Sequence, residues 1–169
     1  MIKLIASDLD GTIINHNNAC DPSTVEAVKR VRDMGIKFAI CTGRPIDSMT
    51  PFLKEWGLYG NVDYIVGSNG GEVLEIATKK HAITYDLSRE VLKDVLDLYT
   101  PLGIIPSVYD GQILYVQEPS EFTAKICKRI GVIEKQGNIY DLIDRPTIKL
   151  MFLVKEDQMA DVEKFYNNI

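Results

Sequence analysis

The sequence predicts an α/β fold, in which a parallel sheet is followed by an α+β unit, on the basis of three observations. Short apolar runs at residues 2–7, 36–41 and 62–66 each end in a polar turn that contains glycine. Helical patterns separate these runs, as the crossover connections of a parallel sheet require. Later in the chain, Asp110-Gly111 lies between two further apolar segments and indicates a hairpin, which is typical of antiparallel strands.

Two helices are predicted between the three parallel strands. Asp21 or Ser23 can cap the first helix, because short polar side chains accept hydrogen bonds from the free N–H groups at a helix start. Pro22 suits the first turn of this helix, and Gly35 ends it. The second helix is predicted over residues 46–56. This alternation of strands and helices indicates a parallel sheet in the first part of the chain.

A change of pattern after the third strand predicts a second domain from about Asp86 onward. Before that point, residues 72–76 and 81–85 form a predicted hairpin. After it, residue spacing predicts a helix from Ser88, strands at 103–109 and 112–117, a helix at 120–130, a strand at 148–154 and a C-terminal helix. The predicted domains are therefore residues 1–85 and 86–169.

Composition and charge exclude several classes of protein. The 169 residues are 46% hydrophobic and 25% charged, as in ordinary globular domains. No apolar run approaches the roughly 20 residues of a membrane helix, and the net charge of −5 argues against nucleic acid while leaving small anionic substrates open. The histidines, His16 and His81, are expected to be solvated. The cysteines lack a Cys-x-x-Cys pair, which predicts reduced thiols in a cytoplasmic protein: Cys20, Cys41 and Cys127.

A polar cluster with two carboxylates, residues 8–12 (Asp-Leu-Asp-Gly-Thr), follows the first apolar run. Ligand sites of open α/β sheets lie at the carboxyl ends of strands. Asp8 and Asp10 are two residues apart in extended chain and point to the same side. They can hold a divalent cation, or divide nucleophilic and proton-transfer work between them. Gly11 lets the chain turn away from the strand tip, although an ordinary Asp-Gly turn remains an alternative interpretation.

Two other kinds of site with paired carboxylates do not fit this cluster. A calcium-binding EF-hand loop has its glycine at the sixth position from the first aspartate, whereas Gly11 is the fourth residue counted from Asp8. A receiver domain needs a phosphoacceptor aspartate after its third strand, where this chain has Gly-Ser-Asn at residues 67–69. Both classes are therefore excluded.

Polar residues also follow the second and third predicted strands. Thr42, Gly43 and Arg44 combine a hydroxyl, free backbone N–H groups and a permanent positive charge, which together suit a phosphate. Cys41 does not begin a cysteine-phosphatase loop, because two residues separate it from Arg44 rather than five. Asn69 follows the third strand. Each motif alone is compatible with a simple turn, but their occurrence at three consecutive strand tips indicates one site.

These motifs resemble the signatures of the haloacid dehalogenase superfamily. Residues 8–12 are similar to its first signature and residues 42–44 to its second. Asn69-Gly70 is similar to the pair that follows the third strand in the Cof-like sugar-phosphatase branch, which has a large cap (type IIB). The resemblance covers essentially the whole chain. It implies a Rossmann-like core in the first predicted domain and an inserted, incomplete α+β cap in the second.

The resemblance also implies a role for each motif residue. Asp8 would be the nucleophile that forms an aspartyl-phosphate, and Asp10 would protonate the leaving oxygen and then activate water. Mg²⁺ would be held by the Asp8 carboxylate and the Asp10 backbone carbonyl. The phosphoryl oxygens would be bound by the Leu9 backbone, Thr42 and Gly43. Arg44 and Asn69 would lie on the substrate side.

The chain departs from the family pattern in its second domain. The family has two further signatures, a lysine that steadies the phosphate and an acidic loop that completes the metal site, and we identify neither in this sequence. The chain is therefore expected to be a fragment or a truncated protein that alone is inactive or nearly so. The first strand would then be an exposed apolar edge, which a missing C-terminal segment or a second copy in a homo-oligomer would cover.

The sequence thus predicts a Mg²⁺-dependent phosphatase of small phosphorylated metabolites, with sugar phosphates as one substrate class. A phosphomutase of the same superfamily and a non-catalytic phosphate-binding module remain as alternatives. No nucleic acid and no membrane is expected as a partner. The substrate itself is not identified, because in this family the cap decides it.

Overall fold

Two sheets of different topology organise the chain in the computed structural model, which describes residues 1–83, 87–145 and 147–168. The chain divides into two units, Met1–Tyr85 with Arg129–Gly131, and Asp86–Lys128 with Val132–Ile169. The domain boundary predicted near Asp86 lies outside the described residues, as do the last two residues of the predicted strand 81–85.

The sheet of the first unit has five strands in the order β1-β2-β3-β4-β5. Their bounds are β1 Leu4–Asp8, β2 Lys37–Cys41, β3 Tyr64–Gly67, β4 Glu72–Glu75 and β5 Lys80–Ile83. The first three strands are parallel and in sequential order, which confirms the predicted α/β fold. The hairpin formed by β4 and β5 continues the same sheet in antiparallel pairing. Within the described sheet, β1 therefore lies at one edge.

Three helices connect these strands: α1 Pro22–Asp33, α2 Ile46–Met49 and α3 Phe52–Glu55. The prediction of one continuous helix over residues 46–56 was wrong, because the helix is interrupted between α2 and α3. Pro51 lies at this interruption and has no N–H group to donate to the preceding turn. The largely apolar core of the first unit includes five residues that are 0% exposed: Leu9, Ile40, Met49, Leu58 and Ile65.

Helix α1 begins at an aspartate cap, as predicted. Asp21 Oδ1 accepts hydrogen bonds from the backbone N–H of Ser23 at 2.8 Å and from its hydroxyl at 2.5 Å. These hydrogen bonds favour the ionised carboxylate and hold the pKa of Asp21 below its ordinary value of 3.8. The cap therefore contributes stability that is present above the unfolded-state pKa and is lost as the pH falls through the lower folded-state pKa.

Replacing Asp21 by alanine is expected to lower the thermal unfolding temperature, because Ser23 N–H loses its acceptor at the start of α1. Asp21→Asn is the control, since asparagine also caps helices but does not titrate. Circular dichroism melts at several pH values should show that the difference in unfolding temperature between the wild type and Asp21→Ala shrinks in acid. Wild-type and Asp21→Ala unfolding temperatures that stay equal at neutral pH would contradict this account of the cap.

The sheet of the second unit has four strands in the order β8-β7-β6-β9. Their bounds are β6 Ile105–Asp110, β7 Ile113–Val116, β8 Ile133–Gln136 and β9 Leu150–Leu153. The hairpin predicted at Asp110-Gly111 is confirmed, because β6 and β7 pair antiparallel across it. The described residues of the second half also form four α-helices: α4 Arg89–Tyr99, α5 Glu121–Ile130, α6 Ile139–Leu142 and α7 Met159–Tyr166.

Two elements of the second unit, β8 and α6, were not predicted, and the expectation of a purely antiparallel sheet was incomplete. Strand β8 pairs parallel to β7 at the sheet edge, and its sequence Ile-Glu-Lys-Gln carries one apolar residue in four positions. Helix α6 is a single turn capped by Asn138, whose Oδ1 accepts from Tyr140 N–H at 3.1 Å. Its Ile139 nevertheless enters the core beside Leu92, Leu96, Val108 and Ile143. No helix in the described parts of the chain has the length and apolar character needed to cross a bilayer.

Candidate active site

The tips of β1, β2 and β3 bring the sequence motifs to one edge of the first sheet. Asp8 is in register with Cys41 on β2, and Cys41 is in register with Val66 on β3. The three strands therefore end at the same level, and the residues that follow them leave the sheet side by side. The motif residues that lie at this edge are Asp8, Asp10, residues 42–44 and Asn69.

Asp8 is an exposed carboxylate at the last position of β1. Its Oδ2 accepts a hydrogen bond from the Thr12 hydroxyl at 3.2 Å, which restricts the orientation of the carboxylate. The turn beneath it is held by Leu9, whose side chain is 0% exposed and whose carbonyl accepts from the N–H groups of Thr12, Ile13 and Ile14. Gly11 adopts a φ of +80°, so the chain reverses there at little steric cost.

Asp10 and Arg44 form a bidentate ion pair across the strand tips. Arg44 Nε donates to Asp10 Oδ2 at 3.1 Å, and Nη2 donates to Asp10 Oδ1 at 2.6 Å. The Arg44 side chain is 12% exposed, whereas that of Asp10 is 53% exposed. Two parallel hydrogen bonds to one carboxylate fix its plane as well as its position. The sequence pattern did not predict this pair, since Arg44 was expected only on the substrate side.

Asn18 supports the guanidinium of Arg44 from the polar stretch after the first motif. Its Oδ1 accepts from Arg44 Nη2 at 3.2 Å, and its backbone carbonyl accepts from the indole Nε1 of Trp56 at 2.9 Å. Trp56 is 4% exposed, so it anchors the loop to the core. Asn18 has a left-handed backbone conformation, with φ of 59°, which orients its side-chain oxygen towards Arg44 and its carbonyl towards Trp56. Sequence reasoning missed Asn18, and its only signal was an asparagine in a turn-like segment.

Backbone hydrogen bonds join the segment after β2 to the segment after β3. Thr42 N–H donates to the Val66 carbonyl at 2.8 Å, and Asn69 N–H donates to the Thr42 carbonyl at 3.2 Å. The Thr42 hydroxyl oxygen accepts from Arg44 N–H at 3.1 Å. Thr42 is 6% exposed and Gly43 follows it directly, so two of the three residues expected to bind phosphate lie in a hydrogen-bonded turn.

Glu72, at the start of β4, is a buried carboxylate that sequence reasoning did not select. It is 4% exposed. Its Oε1 accepts from Ile46 N–H at 2.9 Å and from the Ser68 hydroxyl at 2.8 Å, and its Oε2 lies 3.0 Å from His81 Nε2. His81 is exposed, as expected, but its contact with this buried carboxylate was not predicted. Residues 72 and 81 are diagonal neighbours across the β4–β5 hairpin, which places the imidazole against the carboxylate.

A glycine is needed at position 67, the last residue of β3, because other atoms come close to it and not because of its backbone angles. A Cβ at this position would lie 2.7 Å from Ile46 Cγ1, 3.0 Å from the Arg44 carbonyl oxygen and 3.0 Å from Glu72 Oε1. The segment that carries Arg44 therefore crosses directly over the tip of β3. The carbonyl of Arg44 accepts from Ser68 N–H at 2.9 Å on the other side of Gly67.

Thiols and metal-binding side chains add little to this edge of the sheet. Cys20, Cys41 and Cys127 are free. Burial raises the pKa of the Cys20 thiol, with a further contribution from the charge of Asp21. Among the residues that the structure describes, no group of three or more His, Cys, Asp and Glu side chains could hold a metal ion. Asp8 and Asp10 supply the carboxylate oxygens of the motif that follows β1.

A family model described as haloacid dehalogenase-like hydrolase matches residues 5–169. The chain is 32% identical to the protein YxeH of Bacillus subtilis over 125 residues. These residues cover 73% of this chain and 46% of YxeH. The chain is also 27% identical to the 5-amino-6-(5-phospho-D-ribitylamino)uracil phosphatase YwtE of Bacillus subtilis. The 133 aligned residues cover 79% of this chain and 44% of that protein. The chain thus spans about half the length of the curated relatives it matches.

Solved structures show the same fold. A haloacid dehalogenase-like hydrolase from Bacteroides thetaiotaomicron superposes with a TM-score of 0.77 at 21% identity, covering 97% of this chain and 62% of that chain. A sugar phosphatase of subclass IIB superposes with a TM-score of 0.79 at 20% identity, covering 96% of this chain and 62% of that chain.

Proposed function

The chain belongs to the haloacid dehalogenase-like hydrolase family, and we propose on that basis that it supplies the nucleophile and phosphate-binding loops of a Mg²⁺-dependent phosphatase of small phosphorylated metabolites. The observation that carries this proposal is the position of Asp8 and Asp10 at the tip of β1, in register with the segments that follow β2 and β3. Phosphoryl transfer depends mainly on such positioning and on neutralising charge. We assign residues 1–85 to the core and residues 86–169 to the cap.

Asp8 and Asp10 divide the proposed reaction between them. An Asp8 carboxylate oxygen attacks phosphorus while the bond from phosphorus to the leaving oxygen breaks. Asp10, carrying a proton on one oxygen while its other oxygen still accepts from Arg44, gives the leaving oxygen that proton. A water molecule then attacks the aspartyl-phosphate, Asp10 takes a proton from the water, and inorganic phosphate leaves with Asp8 restored. The Thr12 contact holds the Asp8 carboxylate in one orientation for the attack.

The donor set at the tip of β1 fits Mg²⁺. This ion prefers hard oxygen ligands, and it is usually bound by one or two carboxylates together with waters and substrate phosphate. Asp8 supplies an exposed carboxylate, and Asp10 supplies its backbone carbonyl two residues later. When bound, the ion would neutralise charge on the phosphoryl group.

The segments after β2 and β3 are suited to holding the phosphoryl oxygens. Thr42 and Gly43 lie in a turn fixed by the hydrogen bonds between Thr42, Val66 and Asn69, and the Leu9 backbone lies at the neighbouring strand tip. The Thr42 hydroxyl can donate to a phosphoryl oxygen from this buried turn, and a donor fixed in place costs little reorganisation when negative charge arrives. Asn69 and Arg44 then face the remainder of the substrate.

The proposal is tested with beryllofluoride, which mimics a phosphoryl group on a carboxylate. Fluorine NMR of the purified chain should detect binding with Mg²⁺ and none with EDTA. Release of inorganic phosphate is measured on a panel of sugar and nucleotide-like phosphate esters, and product analysis with a hexose phosphate separates hydrolysis from transfer within the sugar. Slow turnover is expected, because the lysine and acidic-loop signatures were not identified. Absence of both binding and turnover would reject the proposal.

Arg44→Ala is expected to lower phosphate release by on the order of 10²-fold, because Asp10 loses both hydrogen bonds that orient it. Most of the loss should appear in kcat, since the aspartate acts on the reacting atoms. Arg44→Lys should recover only part of the rate, because lysine cannot make the bidentate contact. Arg32→Ala is the matched control. It breaks the ion pair between Arg32 Nη1 and Asp63 Oδ2, which are 2.8 Å apart, and this pair does not lie at the strand tips. Equal rates for Arg44→Ala and Arg32→Ala would contradict this role.

A further inference from the structure

The buried carboxylate of Glu72 joins the two loops of the proposed phosphate site, and we infer that Glu72 is a positioning residue for that site. The inference rests on the proposed function, because it concerns the same loops. Glu72 belongs to none of the sequence motifs described above. It acts on the site through Ile46 and Ser68, which it contacts directly.

One oxygen atom of Glu72 accepts hydrogen bonds from both loops. Glu72 Oε1 accepts from Ile46 N–H at 2.9 Å and from the Ser68 hydroxyl at 2.8 Å. Ile46 is two residues beyond Arg44, and Ser68 directly precedes Asn69. This acceptor therefore adds a side-chain link to the backbone hydrogen bonds that join the segment after β2 to the segment after β3. Hydrogen bonds to a charged acceptor are short and directional, so this acceptor limits movement of both segments.

The backbone after β3 needs such support. Ser68 and Asn69 are consecutive non-glycine residues with positive φ, at 50° and 59°. Backbone in this region is unfavourable for residues with a Cβ and persists where the surroundings hold it. The hydrogen bond from the Ser68 hydroxyl to Glu72 is one such restraint, and the bond from Ser68 N–H to the Arg44 carbonyl at 2.9 Å is another.

His81 completes the environment of the Glu72 carboxylate. Its Nε2 lies 3.0 Å from Glu72 Oε2, so the carboxylate has three partners from three different segments. A buried carboxylate is stable when hydrogen bonds satisfy it, and each bond also fixes its orientation. The second oxygen is thus held by β5, which leaves Oε1 in place between the two loops.

The test compares Glu72→Ala and Glu72→Gln with the wild type, with Glu75→Ala as a matched control from the same strand. Glu75 accepts from Thr78 and Tyr64 rather than from the site loops. The first readout is hydrogen exchange of the Ile46 amide by NMR, which needs no ligand. The second is the Kd for beryllofluoride with Mg²⁺ by fluorine NMR.

Glu72→Ala is expected to speed exchange of the Ile46 amide by about tenfold or more and to weaken beryllofluoride binding by a similar factor, because hydrogen bonds to a charged acceptor are lost. Glu72→Gln should lie between the wild type and Glu72→Ala in both readouts and closer to the wild type, since its neutral amide oxygen still accepts from Ile46 and Ser68. Glu75→Ala should change neither. If Glu72→Ala does not fold, Ser68→Ala decides the question, since it removes only the link to the segment after β3 and should weaken binding by a smaller factor.

The outcomes separate this inference from the function proposed above. A wild-type chain that does not bind beryllofluoride rejects the function, and the inference with it. Wild-type binding together with unchanged binding by Glu72→Ala overturns the inference and leaves the function standing. A Glu72→Gln variant as weak as Glu72→Ala would also overturn it, because the isosteric amide keeps the acceptor that does the positioning.

Discussion

Asp8→Asn is expected to abolish beryllofluoride binding and to lower Mg²⁺-dependent phosphate release by on the order of 10³-fold or more, to the level of an EDTA-treated sample. The amide removes the negative charge that attacks phosphorus and that attracts the cation, while the hydrogen bond from Thr12 to the remaining oxygen is preserved. Fluorine NMR and a phosphate-release assay measure the two effects on the same preparation.

Asp10→Asn and Asp33→Asn serve as comparisons for this result. Asp10→Asn keeps the nucleophile but cannot move a proton, so it should retain beryllofluoride binding and lose most turnover. Asp33 is the exposed last residue of α1 and should change neither readout when it becomes asparagine. Turnover by Asp8→Asn at the wild-type rate would remove Asp8 from the mechanism.

Gly67→Ala is expected to reduce the free energy of unfolding by about 3 kcal/mol, the upper end of the usual cost of overpacking. The added Cβ would meet the Arg44 carbonyl oxygen and the Ile46 side chain at 3.0 and 2.7 Å, and a backbone atom cannot rotate away as a side chain can. Chemical denaturation followed by circular dichroism measures the change, because loss of stability shifts the midpoint.

Gly60→Ala is the control for this substitution. Gly60 has a φ of +81° and open space around its Cβ position, so alanine there meets only the cost of left-handed backbone, about 1 kcal/mol. Gly67 has ordinary backbone angles, with φ of −103°, and its cost is purely one of contact. Should Gly67→Ala prove no more destabilising than Gly60→Ala, the segment after β2 would not cross β3 as closely as described.

Local sequence patterns were sufficient for the sheet core and for the strand tips. Each parallel strand is an apolar run ended by polar residues, and Asp110-Gly111 specifies its hairpin through turn geometry alone. Strand β8 escaped prediction because an edge strand with a single isoleucine has no apolar run. The break between α2 and α3 depended on one residue, Pro51, within an otherwise helical pattern.

The contacts that organise the candidate site could not be predicted, because they join residues distant in the sequence. Arg44 and Asp10 are 34 positions apart, and Glu72 and Ile46 are 26 positions apart. Neither pair has a spacing rule, since the crossover connections decide which side chains meet. The roles of Asp8 and Asp10 stay a prediction from their spacing in the sequence, and the contact between Asp10 and Arg44 became visible only with the fold.

Trp56 gives the protein a built-in optical probe of its own site. It is the single tryptophan of the chain, and its indole N–H donates to Asn18, whose side chain accepts from the same Arg44 nitrogen that binds Asp10. The fluorophore and the proposed proton-transfer group are therefore separated by two residues in one hydrogen-bonded chain. Intrinsic emission can thus follow events at Arg44 without any label, in the wild-type protein and in each variant that leaves this chain of contacts intact.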